Sequence, residues 1–107
     1  PLVSSSAASD VYKRQFSMLN TLESLFKLAR KRKKSPEEGS YTNKLLRDKS
    51  LSKDKILEEM NELIEAVDNN SNKIHEAADV FYHLIIYLEA NDINIEDVMA
   101  ELEKRKK

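Results

Sequence analysis

"KILEEMNELIEAVDNNSNKIHEAADVFYHLIIYLEA" (residues 55–90) decides the fold. Apolar residues recur at three- and four-residue intervals on both sides of "NNSN" (69–72), which breaks the pattern. The spacing predicts one helix running to about Asp68 and another over residues 73–90, joined by a tight turn. Turning by about 100° per residue, Ile56, Met60, Leu63 and Val67 cluster on one side of the first helix. Glu58, Glu62 and Glu65 cluster opposite them, and Glu59 lies near the boundary, three residues from Glu62. Taken by itself, this helix carries a solvated acidic face.

The second helix makes that reading doubtful. Val80, Phe81, Leu84, Ile85, Ile86 and Leu88 leave it no wide polar face, so it is expected to be buried in the protein. Yet Glu76 and Asp79 stand on it at i, i+3, with His83 one turn further along. A buried carboxylate must be paired, protonated or bound to a cation. Glu76 has the excuse of the first turn, where the helix dipole favours an acid; Asp79 lies deeper. A hairpin would bring Glu59 and Glu62 towards Glu76 and Asp79. Four carboxylates suit a hard cation, Mg2+ or Mn2+. His83 is expected to be a hydrogen-bonded core histidine outside that ligand set.

Working outward, residues 19–34 carry Leu22, Leu25, Phe26, Leu28 and Ala29 at helical spacing. "SPEEGSYT" (35–42), with Pro36 and the only glycine, Gly39, punctuates the chain, and "NKLLR" (43–47) is expected to form a short turn of helix. Ser52, followed by Asp54 and Lys55, is the expected cap of the Glu58 helix. "NDIN" (91–94) ends the next helix, and Asn94 with Asp97 resembles a capping arrangement for a last one. The expectation is an all-α protein, a small antiparallel four-helix bundle.

Composition agrees and narrows the chemistry. A chain of 107 residues holds one small domain, whose modest core makes oligomerisation expected. A single glycine excludes the glycine-rich loops that cradle phosphates in P-loop and Rossmann proteins, so phosphate chemistry here must use side chains, helix ends or metal. The chain has no cysteine, hence no thiolate nucleophile, which fits a reducing cytoplasm. No apolar run approaches the roughly 18 residues that span a bilayer, so no membrane partner is expected. With a net charge of −1, nucleic acid is not an expected partner either. "RKRKK" (30–34) and "KRKK" (104–107) read as solvated helix ends, the first with contact to an anionic substrate as its alternative.

Residues 1–17, "PLVSSSAASDVYKRQFS", are serine- and alanine-rich without helical periodicity. "DVYKRQ" (10–15) is the translation of a transposon end used in sequencing libraries. The stretch is therefore expected to be a non-native or disordered leader before a domain over 18–107, with the native start at Met18 or further upstream.

"EExxE" (Glu58, Glu59, Glu62), 13 residues (63–75), then "ExxD" (Glu76, Asp79) resembles the signature of the MazG-type all-α nucleotide pyrophosphohydrolases. "PEEGSYTNKLL" (36–46), "EAADVFYHLIIYL" (76–88) and "DVMAELEKR" (97–105) resemble, within that superfamily, the phosphoribosyl-ATP pyrophosphatases of histidine biosynthesis. The chain departs from the family at Leu57, which replaces a glycine, and carries an extra residue in "PEEGSYT".

The resemblance implies a homodimeric hydrolase that cuts phosphoribosyl-ATP between its α- and β-phosphates. By it, Glu59, Glu62, Glu76 and Asp79 hold Mg2+, and Glu58 supports them or orients water. Arg32, Lys44 and Lys55 are the cations expected to meet phosphate. Ser40, Tyr41 and Thr42 offer hydroxyls to phosphate or ribose, with a plain turn as the alternative. Two rival functions share parts of this pattern. One is a MazG-type enzyme acting on other nucleoside triphosphates; the other is a non-catalytic helical dimerisation module.

Overall fold

The computed structural model describes residues 20–106, so the expected leader at 1–17 lies outside the described residues. Those residues form five helices and no strand, bearing out the all-α class. They are α1 over 20–34, α2 (Tyr41–Arg47), α3 (Lys49–Asn69), α4 (Lys73–Ala90) and α5 (Ile95–Arg105). The expected turn at "NKLLR" is a helix in its own right, and a count of four helices was one too few.

Its start is why. Ser40 caps α2, its hydroxyl accepting from the Asn43 amide at 3.3 Å. Asp48 ends α2, its own amide donating to the Lys44 carbonyl, and starts α3, its carboxylate accepting from the Leu51 amide at 3.0 Å. One residue thus serves both helices. The expected cap, Ser52, sits inside α3 and is buried. Asn70 ends α3 in the left-handed conformation, φ +51°, which asparagine tolerates better than most residues. Asn94 precedes α5, but its side chain makes no capping bond; the Asp97 amide meets its backbone carbonyl instead, at 3.1 Å.

α3 and α4 pack along each other as an antiparallel hairpin, α2 lies against both, and α5 meets α4. The core is Ala29 of α1, Leu45 and Leu46 of α2, and Ile86 and Ala90 of α4, with Leu51 and Tyr82 packed on it. Each fully buried leucine or isoleucine contributes about 1.5–3 kcal/mol. Arg30 of α1 holds α5 through a two-pronged pair with Glu96, one prong at 2.6 Å. Lys33 donates to the Glu89 carbonyl at 2.8 Å and pairs with Asp92.

The helical wheel of α3 needs redrawing. Its inward side is Ser52, Ile56, Glu59, Leu63 and Ala66, buried or half-buried, while Met60 and Val67 are exposed beside Leu57 and Ile64. Glu59 therefore lies on the buried stripe, not at the edge of a wet face. α4 departs from expectation in the opposite sense. It buries His83, Ile85 and Ile86, but Phe81 is 56% exposed and Leu84 37%. No helix among the described residues is long and apolar enough to cross a membrane.

Candidate active site

The acids meet where α3 and α4 face each other. Residues 59 and 62 sit one turn apart on α3, and 76 and 79 one turn apart on α4. Glu59 and Glu76 both feel the charges of Glu62 and Asp79, and potential ligand oxygens of Glu59 and Glu62 lie within 4.8 Å of each other. Carboxylates crowded in this way repel one another, and a shared proton or a cation relieves the repulsion. The Oε2 oxygens of Glu59 and Glu76 are buried with no hydrogen-bond partner. Glu59 is 8% exposed.

Such crowding shows in the proton affinities. Burial, then the proximity of Glu62, then the charges of Asp79 and Glu76, push the Glu59 carboxyl up to about 7. Glu76 is raised too, by burial first and Glu62 second, with His75 opposing. Acids held this near to one another destabilise the fold if nothing compensates. A hard divalent cation would compensate: the donors are carboxylate oxygens, and two of them lack any partner.

Two triads of potential ligand atoms stand out, each with all atoms within 4.8 Å of one another. One is Glu58, Glu59 and Glu62 on α3; the other is His75, Glu76 and Asp79 on α4. Glu58 is half-exposed and paired with Lys55 at 3.2 Å, a contact that raises the lysine's proton affinity. Glu65 is exposed and belongs to neither group.

Beside the acids lies "SYT", the cap and first two residues of α2. The Tyr41 hydroxyl reaches His83 Nε2 at 3.2 Å, and burial raises its proton affinity against the opposing charge of Lys55. His83 Nδ1 lies 2.8 Å from the Asp79 carbonyl, one turn back on α4. His83 is thus a buried histidine with both nitrogens engaged. Thr42 is spent on a bond to the Tyr82 hydroxyl. Ser40 accepts from the Asn43 amide and from Arg32, at 2.9 Å, while Arg32 also pairs with Glu37 at 2.7 Å. The Tyr41 hydroxyl feels the charges of Glu58 and Glu59. Lys44 is exposed on α2.

Asn43 went unnoticed in the sequence. Buried at 1% exposure, it donates to the Arg32 carbonyl and accepts from the Glu37 amide, both at 2.8 Å. It clamps the turn that Gly39 makes possible at φ +79°. Nothing local distinguishes it from a surface asparagine, because its partners lie 6 and 11 residues away. His75 was missed as well, since it flanks the acid motif without belonging to it.

Comparison with known proteins gives one consistent result. The profile of the family described as phosphoribosyl-ATP pyrophosphohydrolase matches residues 19–106. The chain is similar to the phosphoribosyl-ATP pyrophosphatase of Listeria welshimeri, 42% identical over 78% of this chain and 84% of the relative. The enzyme of the same name from Methanocella arvoryzae is 39% identical over 84% of this chain and its own full length. The histidine biosynthesis bifunctional protein HisIE of Pyrococcus furiosus is 38% identical over 83% of this chain, which spans 43% of that relative. No solved structure gives a significant match.

Proposed function

This chain belongs to the phosphoribosyl-ATP pyrophosphohydrolase family, and on that premise we propose that it hydrolyses phosphoribosyl-ATP to phosphoribosyl-AMP and pyrophosphate in histidine biosynthesis. Glu59, Glu62, Glu76 and Asp79 hold Mg2+, with Mn2+ as a substitute. The observation that carries the metal assignment is the pair of buried, partnerless oxygens on Glu59 and Glu76 within one cluster of acids.

When bound, the cation offsets the charge of the polyphosphate and polarises the phosphorus under attack. The chain's own groups do the rest. Glu58, half in solvent and held by Lys55, is placed to orient a water and take its proton as the water oxygen bonds to phosphorus and the anhydride bond between the α- and β-phosphates breaks. The departing pyrophosphate leaves with the bonding electron pair, and the ammonium of Lys55 offsets the charge that develops. Tyr41, held by His83, offers a hydroxyl to a phosphate or ribose oxygen. Arg32 and Lys44 extend the positive lining, Arg32 also keeping the Ser40 turn in place. Ser40 and Thr42 serve by holding the start of α2, and with it Tyr41, in place, Ser40 as its cap and Thr42 through Tyr82.

A homodimer belongs to the same proposal, as does a cytoplasmic location. The apolar stripe of Leu57, Met60, Ile64 and Val67 on α3, together with exposed Phe81 on α4, is what a second copy would cover. Substrate choice is the test of the function. Pyrophosphate release should be faster from phosphoribosyl-ATP than from any ordinary dNTP under the same Mg2+ concentration. Faster turnover of dNTPs would transfer the protein to the general nucleotide pyrophosphohydrolases. No turnover of either would leave a helical dimerisation module.

A further inference from the structure

We propose that His75 supplies a nitrogen ligand to the α4 half of the acid cluster and tilts it towards borderline-soft divalent cations such as Co2+. The inference rests on the metal-site reading above and adds to it a residue that the acid motif does not contain. A ring nitrogen of His75 and an oxygen each from Glu76 and Asp79 lie within 4.8 Å of one another. Two ligands about 2.1 Å from one ion stand at most about 4.2 Å apart, so small side-chain rotations close the set. Nε2 of His75 is 3.4 Å from Asp79 Oδ2. The independent sign of a cation is Glu59, more than nine-tenths buried, whose Oε2 has no partner and whose carboxyl feels both Glu76 and Asp79.

An ordinary surface ion pair is the alternative, and the helix argues against it. His75 lies in the first turns of α4, N-terminal to its acid by four residues. A cation there opposes the helix dipole, and basic-before-acidic is the weaker order for an i, i+4 pair. A neutral imidazole ligand adds no charge of its own against the dipole, and the carboxylates of Glu76 and Asp79 offset that of the cation. The chain has only two histidines, and both nitrogens of His83 are engaged, by Tyr41 and the Asp79 carbonyl. His75 is therefore the one imidazole available. Four carboxylates discriminate little among divalent cations; an imidazole favours the later first-row metals over Mg2+.

Titration calorimetry of the full chain with Mg2+ and with Co2+ reads the selectivity directly. His75→Ala should weaken Co2+ binding about tenfold and leave Mg2+ binding within about twofold. With Mn2+ bound, electron spin-echo modulation should show coupling to nitrogen in the wild type and none in His75→Ala. An unchanged Co2+ to Mg2+ ratio with no nitrogen coupling would overturn the ligand role and leave the carboxylate site standing. An equal loss of both metals without nitrogen coupling would make His75 a residue that merely orients Asp79. If the wild type binds neither metal, the carboxylate site falls, and His75 with it.

Discussion

At the scale of single residues, Glu59 carries the most information. Its carboxyl releases its proton near 7 in the fold, against an ordinary value of 4.5. Between those values the native state holds a proton that the unfolded chain has released, so stability falls as pH rises from about 4.5 to about 7 and then levels off. In metal-free protein the drop should be on the order of 1–3 kcal/mol. Glu59→Gln imitates the protonated acid and should flatten the slope, as urea melts at pH 5 and pH 7.5 will show. The same slope in the variant would mean that another group carries it. The sequence showed which acids to watch but put Glu59 at the border of a wet face. The error has a physical source: α3 has two apolar stripes, and a wheel drawn on one of them misplaces whatever lies between.

At the scale of elements, the hairpin was legible and its approach was not. α4 runs over the residues its apolar pattern marks, 73–90, and "NNSN" makes the expected turn, with the asparagines at 70 and 72 in the left-handed conformation. The entry into α3 was misjudged because Asp48 closes one helix and opens the next, leaving no loop to read. Ser52 looked like a cap because serine so often is one; its burial against the core is a tertiary fact. Asp48→Ala should cost about 1 kcal/mol and lower the melting temperature by a few degrees, measured by circular dichroism. A variant as stable as the wild type would show that the cap contributes nothing.

For the whole molecule, burial was overestimated. The near-continuous apolarity of α4 was taken to mean that the helix is enclosed, yet Phe81 and Leu84 face outward, as do Leu57, Ile64 and Val67 of α3. The physical reason lies in size: a chain of 107 residues cannot enclose its longest helices. The apolar pattern marked exposed surface as well as core, and that surface is the one the proposed second copy would cover. Phe81→Glu should therefore yield a monomer in multi-angle light scattering where the wild type is a dimer. A monomeric wild type would remove the second copy from the account.

The acids between α3 and α4 are proposed to bind the cation used to cut phosphoribosyl-ATP. The direct measurement is pyrophosphate release from that substrate with and without Mg2+, for the wild type, Glu62→Ala and Asp79→Ala. The account predicts Mg2+-dependent release by the wild type and loss of at least a hundredfold in each variant, about 3 kcal/mol of transition-state stabilisation. Release that persists in both variants, or that is indifferent to Mg2+, would contradict it.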